Sequence, residues 1–194
     1  MTVIYFVRHA EPDYNDHNDL TRPLTTKGKE DVALVKRFFE GVEIAKVISS
    51  PFLRAVDTVA DLAAGINTEV LILEDIRERK IDSGWIDDFD AFAEKQWSDF
   101  DYKLKDGESL REVQKRNINA LNEVRAAYKD KTLVIGSHGA ALSTIINYYD
   151  STFGYEHFRA IKSLMPWIVK LTFEEDRCVS IDQFNVFEIY EISN

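Results

Sequence analysis

Val3-Ile4-Tyr5-Phe6-Val7 is an unbroken run of aliphatic, β-branched and aromatic residues, and it leads straight into Arg8-His9. A strand with one wet face alternates apolar and polar positions, so a run without a polar break predicts a strand covered on both faces, as in a parallel sheet. Ala45–Ser49, Glu69–Leu73 and Thr132–Ile135 supply three more short strands, and helical patterns fill the intervals. Val32, Leu34, Val35, Phe38 and Phe39 mark a helix over Thr26–Glu40 that Gly41 closes. Ser50-Pro51 predicts an N-cap and first-turn proline opening a helix to about Ala64. Ser109–Glu112 spells the S-x-x-E capping box ahead of Leu110, Val113, Leu121 and Val124, and another helix is expected to run from the Gly136–Ala141 region to Tyr149. Pro166–Phe173 and Cys178–Ile192, either side of Glu174-Glu175-Asp176-Arg177, read as a β-hairpin added to the sheet. Strands alternating with helices in this way predict an α/β fold, a three-layer αβα arrangement with a mostly parallel central sheet and the hairpin at its C-terminal end. Glu74–Asp90, charged and carrying Gly84 and Trp85, is expected to be a long loop, and 74–107 a lid or insertion on one domain spanning 1–194.

Composition bounds the function. A chain of 194 residues suits one core, and 45% hydrophobic with 30% charged residues is too apolar for disorder. No apolar run is long enough to span a bilayer, and Met1–Phe6 enters a strand without a basic leader, so neither a membrane span nor a secretory signal is expected and the cytoplasm is the expected compartment. Cys178 is the only cysteine, which excludes an intramolecular disulfide and a cysteine-based zinc site. Lys+Arg 24 against Asp+Glu 34 gives a net charge of −10, which argues against nucleic-acid partners. An anionic ligand would need a local positive pocket of placed arginines and helix N-termini, built against the field of the whole chain.

Such a pocket can be located. Arg8 and His9 follow the first strand, and Ser137, His138 and Gly139 follow the fourth. In an open parallel sheet the carboxyl ends of the strands share an edge, so two of the 4 histidines either converge there or are each satisfied separately in a loop. Arg54 falls in the first turn of the Ser50-Pro51 helix, where the dipole disfavours a cation by roughly 0.3–1 kcal/mol. Asp57 could offset that as a same-face pair worth about 0.2–0.5 kcal/mol, or a bound anion could. Two arginines and two imidazoles on one edge describe a phosphate site.

Val7-Arg8-His9-Ala10-Glu11 resembles the R-H-G/A signature of the histidine phosphatase superfamily, the phosphoglycerate mutase-like family. Pro23-Leu24-Thr25 with Gly28 resembles its P-L-T-x-x-G segment, Ser49-Ser50-Pro51 with Arg54 its S-S-x-x-x-R segment, and Ser137-His138-Gly139 its late S-H-G. Ile76-Arg77-Glu78 resembles the segment carrying the proton donor, and Gly107-Glu108-Ser109 a common G-E-S helix start; the matches run from Val3 to about Tyr149. Departures are Ala10 in place of a frequent glycine, Pro12 in place of serine or threonine, and Ile86-Asp87 after Gly84-Trp85.

The resemblance implies a metal-independent phosphomonoester hydrolase without a cofactor, acting through a phosphohistidine on His9. Arg8, Arg54 and His138 would surround the phosphoryl oxygens, with Gly139 beside them. Asn15 matches a polar position near the phosphate, although an Asx turn explains it as well. The nucleophile needs its second nitrogen held by a hydrogen bond, for which a backbone carbonyl suffices. Glu78 would protonate the leaving oxygen, provided Arg77, Arg79 and Lys80 point away from it; Asp82, Asp87 and Asp88 are nearby substitutes. Small phosphorylated metabolites or a phosphoprotein would be the substrates. Phosphoglycerate mutase-type transfer, a noncatalytic phospho-ligand binding module, and a metalloenzyme using His9, His138 and Asp13 are the competing readings. His17 and His157 are expected on the surface or in loops, and Trp85, Phe89, Phe92, Trp97, Phe100 and Tyr102 to pack as core or lid, or to line a substrate mouth.

Overall fold

The apolar run becomes β1 (Thr2–Arg8), one residue longer at each end than its hydrophobic stretch. In the computed structural model, which describes residues 1–191, β1 lies inside the sheet, parallel to β4 (Thr132–Ser137) and antiparallel to β5 (Trp167–Glu174). With β2 (Lys46–Ser49), β3 (Leu71–Ile72) and β6 (Arg177–Phe184), the described residues form one six-stranded sheet ordered β3-β2-β4-β1-β5-β6. Its β1–β4, β2–β4 and β2–β3 pairings are parallel, and the C-terminal hairpin joins antiparallel beside β1.

Both faces are covered, which is why the strands lack a polar alternation. Ile4, Phe6, Ile48, Leu133 and Ile135 pack against α4 (Leu110–Ala127) and α5 (Gly139–Tyr149) through Leu121, Leu142 and Ile145. Val7, Val47 and Val134 point the other way, onto Val35 of α1 (Thr26–Phe38) and Val59 and Leu62 of α2 (Leu53–Gly65). Each such side chain taken fully out of water contributes about 1.5–3 kcal/mol. Thr25 caps α1 by accepting from Gly28 N at 2.9 Å, and the Ser109–Glu112 capping box opens α4 with both reciprocal hydrogen bonds present. Among the described residues no helix is long and apolar enough to cross a membrane.

Four local expectations need correction. The α2 helix begins at Leu53 with Phe52 as its N-cap residue, because the Ser50 hydroxyl is engaged by His138 Nε2 at 2.6 Å. Only Leu71 and Ile72 of the Glu69–Leu73 segment pair, at the sheet edge, where both are exposed. The Glu74–Asp90 loop starts as a 3₁₀ turn (Glu74–Ile76), and its end runs into α3 (Phe89–Ser98), which Asp88 caps by accepting from Ala91 N. After the short α6 (Tyr155–Ala160) comes the hairpin, whose last strand stops at Phe184 and gives way to α7 (Val186–Glu191). Val186, Phe187 and Tyr190 recur at helical spacing and pack on the α1–α2 face, a period of three to four that β-rich composition masked. Ile192, the end of the expected strand, lies outside the described residues.

Candidate active site

Register builds the centre of the site. Arg8 of β1 pairs with Ser137 of β4, so the next residue of each strand, His9 and His138, emerges side by side at the carboxyl edge. Their rings stand 5.2 Å apart at 61°, both buried. His9 Nδ1 lies 2.8 Å from the carbonyl oxygen of Ala10. A carbonyl only accepts, so Nδ1 carries the proton and donates it, and Nε2 keeps its lone pair in the neutral ring. Burial, then the charges of Arg54 and Arg8, push the His9 imidazole well below its ordinary value, the Ala10 hydrogen bond opposing them only in part. His138 is pushed down in the same direction by burial, then Arg54, His9 and Arg8.

Three arginines gather around this pair. Arg8, 7% exposed, donates through Nη1 to the carbonyls of Ile161 (2.6 Å) and Leu164 (3.3 Å) and through Nη2 to Lys162 (3.1 Å). Among the described residues its buried Nε has no partner. The guanidinium lies flat on Gly139, where an added Cβ would stand 3.1 Å from Arg8 Cζ, so the glycine is required for close approach. Arg54, 3% exposed in the first turn of α2, donates to Asp19 O at 2.6 Å and faces Asp19 Oδ1 at 3.4 Å. Its partner is thus Asp19 rather than Asp57. Arg22 is the residue that sequence reasoning missed. It is buried, reaches the same Asp19 carboxylate at 3.1 Å, and its charge acts on both His9 and Arg54. Its only signal was position, an arginine directly before Pro23-Leu24-Thr25 in a loop otherwise rich in aspartate and asparagine. Asp19 is half exposed and shared between two guanidinium groups, so the edge is left with the local positive excess that the net charge of −10 made necessary.

Glu78 closes the other side. Its carboxylate accepts from Ala140 N (Oε2, 2.9 Å) and Ala141 N (Oε1, 3.0 Å) at the start of α5, and from Arg79 N at 2.8 Å. An acid across a helix N-terminus satisfies donors that have no partner inside the helix. Its basic neighbours do turn elsewhere. The Arg79 side chain is buried on Gln96 Oε1 and lies over the rings of Phe89, Phe92 and Phe158, and burial lowers it to about 10. Arg77 pairs with Glu108 at 3.3 Å, and Lys80 is exposed. Of the substitute acids, Asp88 caps α3 and Asp82 accepts from Asp106 N.

The remaining candidates are more peripheral. Asn15 is exposed and bonded to Asp13 through its N–H and side chain, as an Asx turn has it. His17 stacks on Trp85 at 4.3 Å and 11°, linking the loop before Arg22 to the segment after Glu78. His157 accepts from Gly154 N and stacks on Phe153, while Trp97 packs against Phe100, Phe153 and Phe158. Among the described residues, no three histidine, cysteine or acidic side chains are gathered to hold a metal ion.

The depressed imidazoles carry a prediction with a definite sign. Unfolded, both histidines take up protons as pH falls through their ordinary value of 6.5, while the folded chain refuses them until well below it. The stability they contribute is complete above that value and declines as pH drops toward the folded value. NMR of the ligand-free protein should show both rings staying neutral across pH 6.5, and His138→Gln should flatten the acid-side fall in denaturant midpoint. Ordinary titration of either ring near 6.5 contradicts the arrangement.

The chain is similar to known proteins along most of its length. The family model described as histidine phosphatase superfamily (branch 1) matches residues 4–186. The probable phosphoglycerate mutase GpmB of Cronobacter sakazakii is 27% identical over 161 residues, covering 76% of this chain and 74% of that protein. A putative phosphoserine phosphatase 2 of Hydrogenobacter thermophilus is 26% identical over 158 residues, covering 75% and 77%. Among solved structures, a phosphoserine phosphatase mutant of Entamoeba histolytica in complex with phosphoserine aligns with a TM-score of 0.76 at 23% identity, over 95% of this chain and 97% of that one. A fold with these strands, a pair of histidines at their shared edge, and a family model spanning nearly the whole length lead to one conclusion: the chain is an enzyme of the histidine phosphatase superfamily.

Proposed function

We propose that this chain is a cytoplasmic, metal-independent phosphomonoester hydrolase working through a phosphohistidine on His9, with 1–194 as one domain and 74–107 as its lid. The observation that carries the reading is the His9 Nδ1 contact to Ala10 O, which leaves a lone pair on Nε2 of a neutral ring beside Arg8, Arg22 and Arg54. Nε2 attacks phosphorus, the bond to the ester oxygen breaks, and Glu78 gives its proton to the departing oxygen. Arg8, Arg54 and His138 face the equatorial oxygens and stabilise charge there, with Gly139 allowing Arg8 to approach and Asn15 at the outer rim. In the second half, Glu78 takes a proton from water as its oxygen attacks phosphorus; the P–N bond breaks, and inorganic phosphate and neutral His9 are released.

Small phosphorylated metabolites are the substrate class, supported by the phosphoserine held by the Entamoeba neighbour; a phosphoprotein side chain undergoes the same chemistry. The probable phosphoglycerate mutase among the relatives keeps mutase transfer as the second reading. The test is a brief incubation with a phosphate-labelled ester, followed by acid or alkaline quench and product analysis. Acid-labile, alkali-stable label on the chain, inorganic phosphate as product and activity that persists in EDTA are expected. Label returned to a second hydroxyl without phosphate release would establish mutase transfer, and no label at all would indicate a binding module.

A further inference from the structure

Glu78 is fixed at its carboxylate by α5, but a long side chain is placed only when its backbone is placed too. The segment 75–80 that carries it is irregular and, beyond the 3₁₀ turn, makes none of the sheet pairings. Its carbonyls are instead collected by one side chain. Arg116, two turns into α4, donates from Nη1 to Asp75 O (2.9 Å) and Arg77 O (2.8 Å) and from Nη2 to Glu78 O (3.1 Å). Its Nε and the second Nη2 hydrogen go to Glu108, at 2.8 and 2.9 Å. All the donors of a guanidinium are therefore used, none of them on the phosphate edge.

Glu108 extends the same clamp. It accepts from Lys80 N at 2.9 Å, its own N–H donates to Lys80 O at 2.7 Å, and it meets Arg77 Nη2 at 3.3 Å. Burial opposes its charge, yet the hydrogen bonds from Arg116 and Lys80 hold the carboxyl below the usual range. Gly107 lets the two segments touch, since a Cβ there would stand 2.0 Å from Ile81 O. Glu78 is thus strung between a carbonyl tied to α4 and a carboxylate tied to α5.

We infer that the Arg116–Glu108 pair is a positioning device for proton transfer, holding Glu78 at the distance and angle from which it serves the leaving oxygen. The inference rests on Glu78 as the proton donor, and it assigns to Arg116 an effect on the proton transfers that Glu78 makes, not on the grip of the phosphoryl group. Phosphoryl capture by His9 needs no help from Arg116. Protonation of a basic leaving group does, because a displacement of about 1 Å in a reacting group can cost roughly 10²-fold. Lysine, with one ammonium in place of a planar fork, cannot serve three carbonyls and a carboxylate together.

The test compares kcat/KM for phenyl phosphate and p-nitrophenyl phosphate in the wild type, Arg116→Lys, Glu108→Gln and Glu78→Gln. The two esters have nearly the same shape, but p-nitrophenolate is a weak base that departs without a proton. Because both are measured on one sample, their ratio is independent of the fraction of folded enzyme. Glu78→Gln should lower phenyl phosphate turnover by about 10² or more with a far smaller change for p-nitrophenyl phosphate. Arg116→Lys and Glu108→Gln should shift the ratio the same way, by roughly 10-fold to 100-fold. Equal losses on both esters in Arg116→Lys and Glu108→Gln, beside a selective loss in Glu78→Gln, would overturn the positioning role and leave the donor intact. Equal losses in Glu78→Gln as well would overturn both.

Discussion

His9→Ala should lower kcat/KM by about four orders of magnitude or more, the scale on which loss of a nucleophile is felt, and should leave no acid-labile label. His138, 5.2 Å away, is not expected to replace it, because its Nε2 is held by Ser50 Oγ at 2.6 Å and its ring is fully buried. Phosphate binding should survive, since Arg8, Arg22 and Arg54 are held by backbone carbonyls and Asp19 rather than by the lost ring. Calorimetry with inorganic phosphate or vanadate separates the two effects: binding retained with turnover gone is the expected pairing. Turnover near wild type in His9→Ala would remove the nucleophile assignment altogether.

Arg54→Ala should cost about 10²–10³ in kcat/KM, the range found when one donor to a developing oxyanion is removed. Both kcat and KM should change, since a guanidinium in the proposed role would meet phosphate in the ground state and in the transition state. Arg54→Lys should recover little. The native group already donates to Asp19 O and faces the Asp19 carboxylate from a 3% exposed position, and an ammonium cannot keep that hold while also presenting a planar pair of donors. Removing Arg54 also lifts one of the charges that depress His9 and His138, so the acid limb of the pH–rate profile should move toward higher pH. An Arg54→Ala enzyme with unchanged KM and pH profile would place the residue outside the phosphate site.

The convergence of these residues was largely legible in the sequence because it rests on strand ends. A strand with no polar break must be buried, a buried strand in an α/β sheet must end at the shared edge, and Arg8-His9 and His138-Gly139 lie at two such ends. The S-x-x-E box likewise fixed the start of α4 through local hydrogen bonds alone. Features that depended on distant partners were not legible. Ser50 looked like a helix cap because nothing local reveals that His138, many residues later, takes its hydroxyl. Asp57 stood beside a bound anion as a possible offset for Arg54 because helix spacing is visible, whereas Asp19 comes from a loop whose path the sequence does not specify. Arg22 carried no periodic pattern at all, and α7 was hidden by residues equally suited to a strand. Glu78 was found by resemblance, but its tethers to α5 and to Arg116 required the assembled fold.

The placement of β1 between two strands made much later has a consequence for timing. During synthesis on the ribosome His9 emerges well before the carbonyls of Ile161, Lys162 and Leu164 that anchor its neighbour Arg8, and β1 has no partner on one side until β5 is made. A chain cut short of that length would hold His9 without the anchors of Arg8 and is expected to be inactive. The arrangement on which the proposed turnover depends is therefore expected to be complete only after the chain has been made as far as β5.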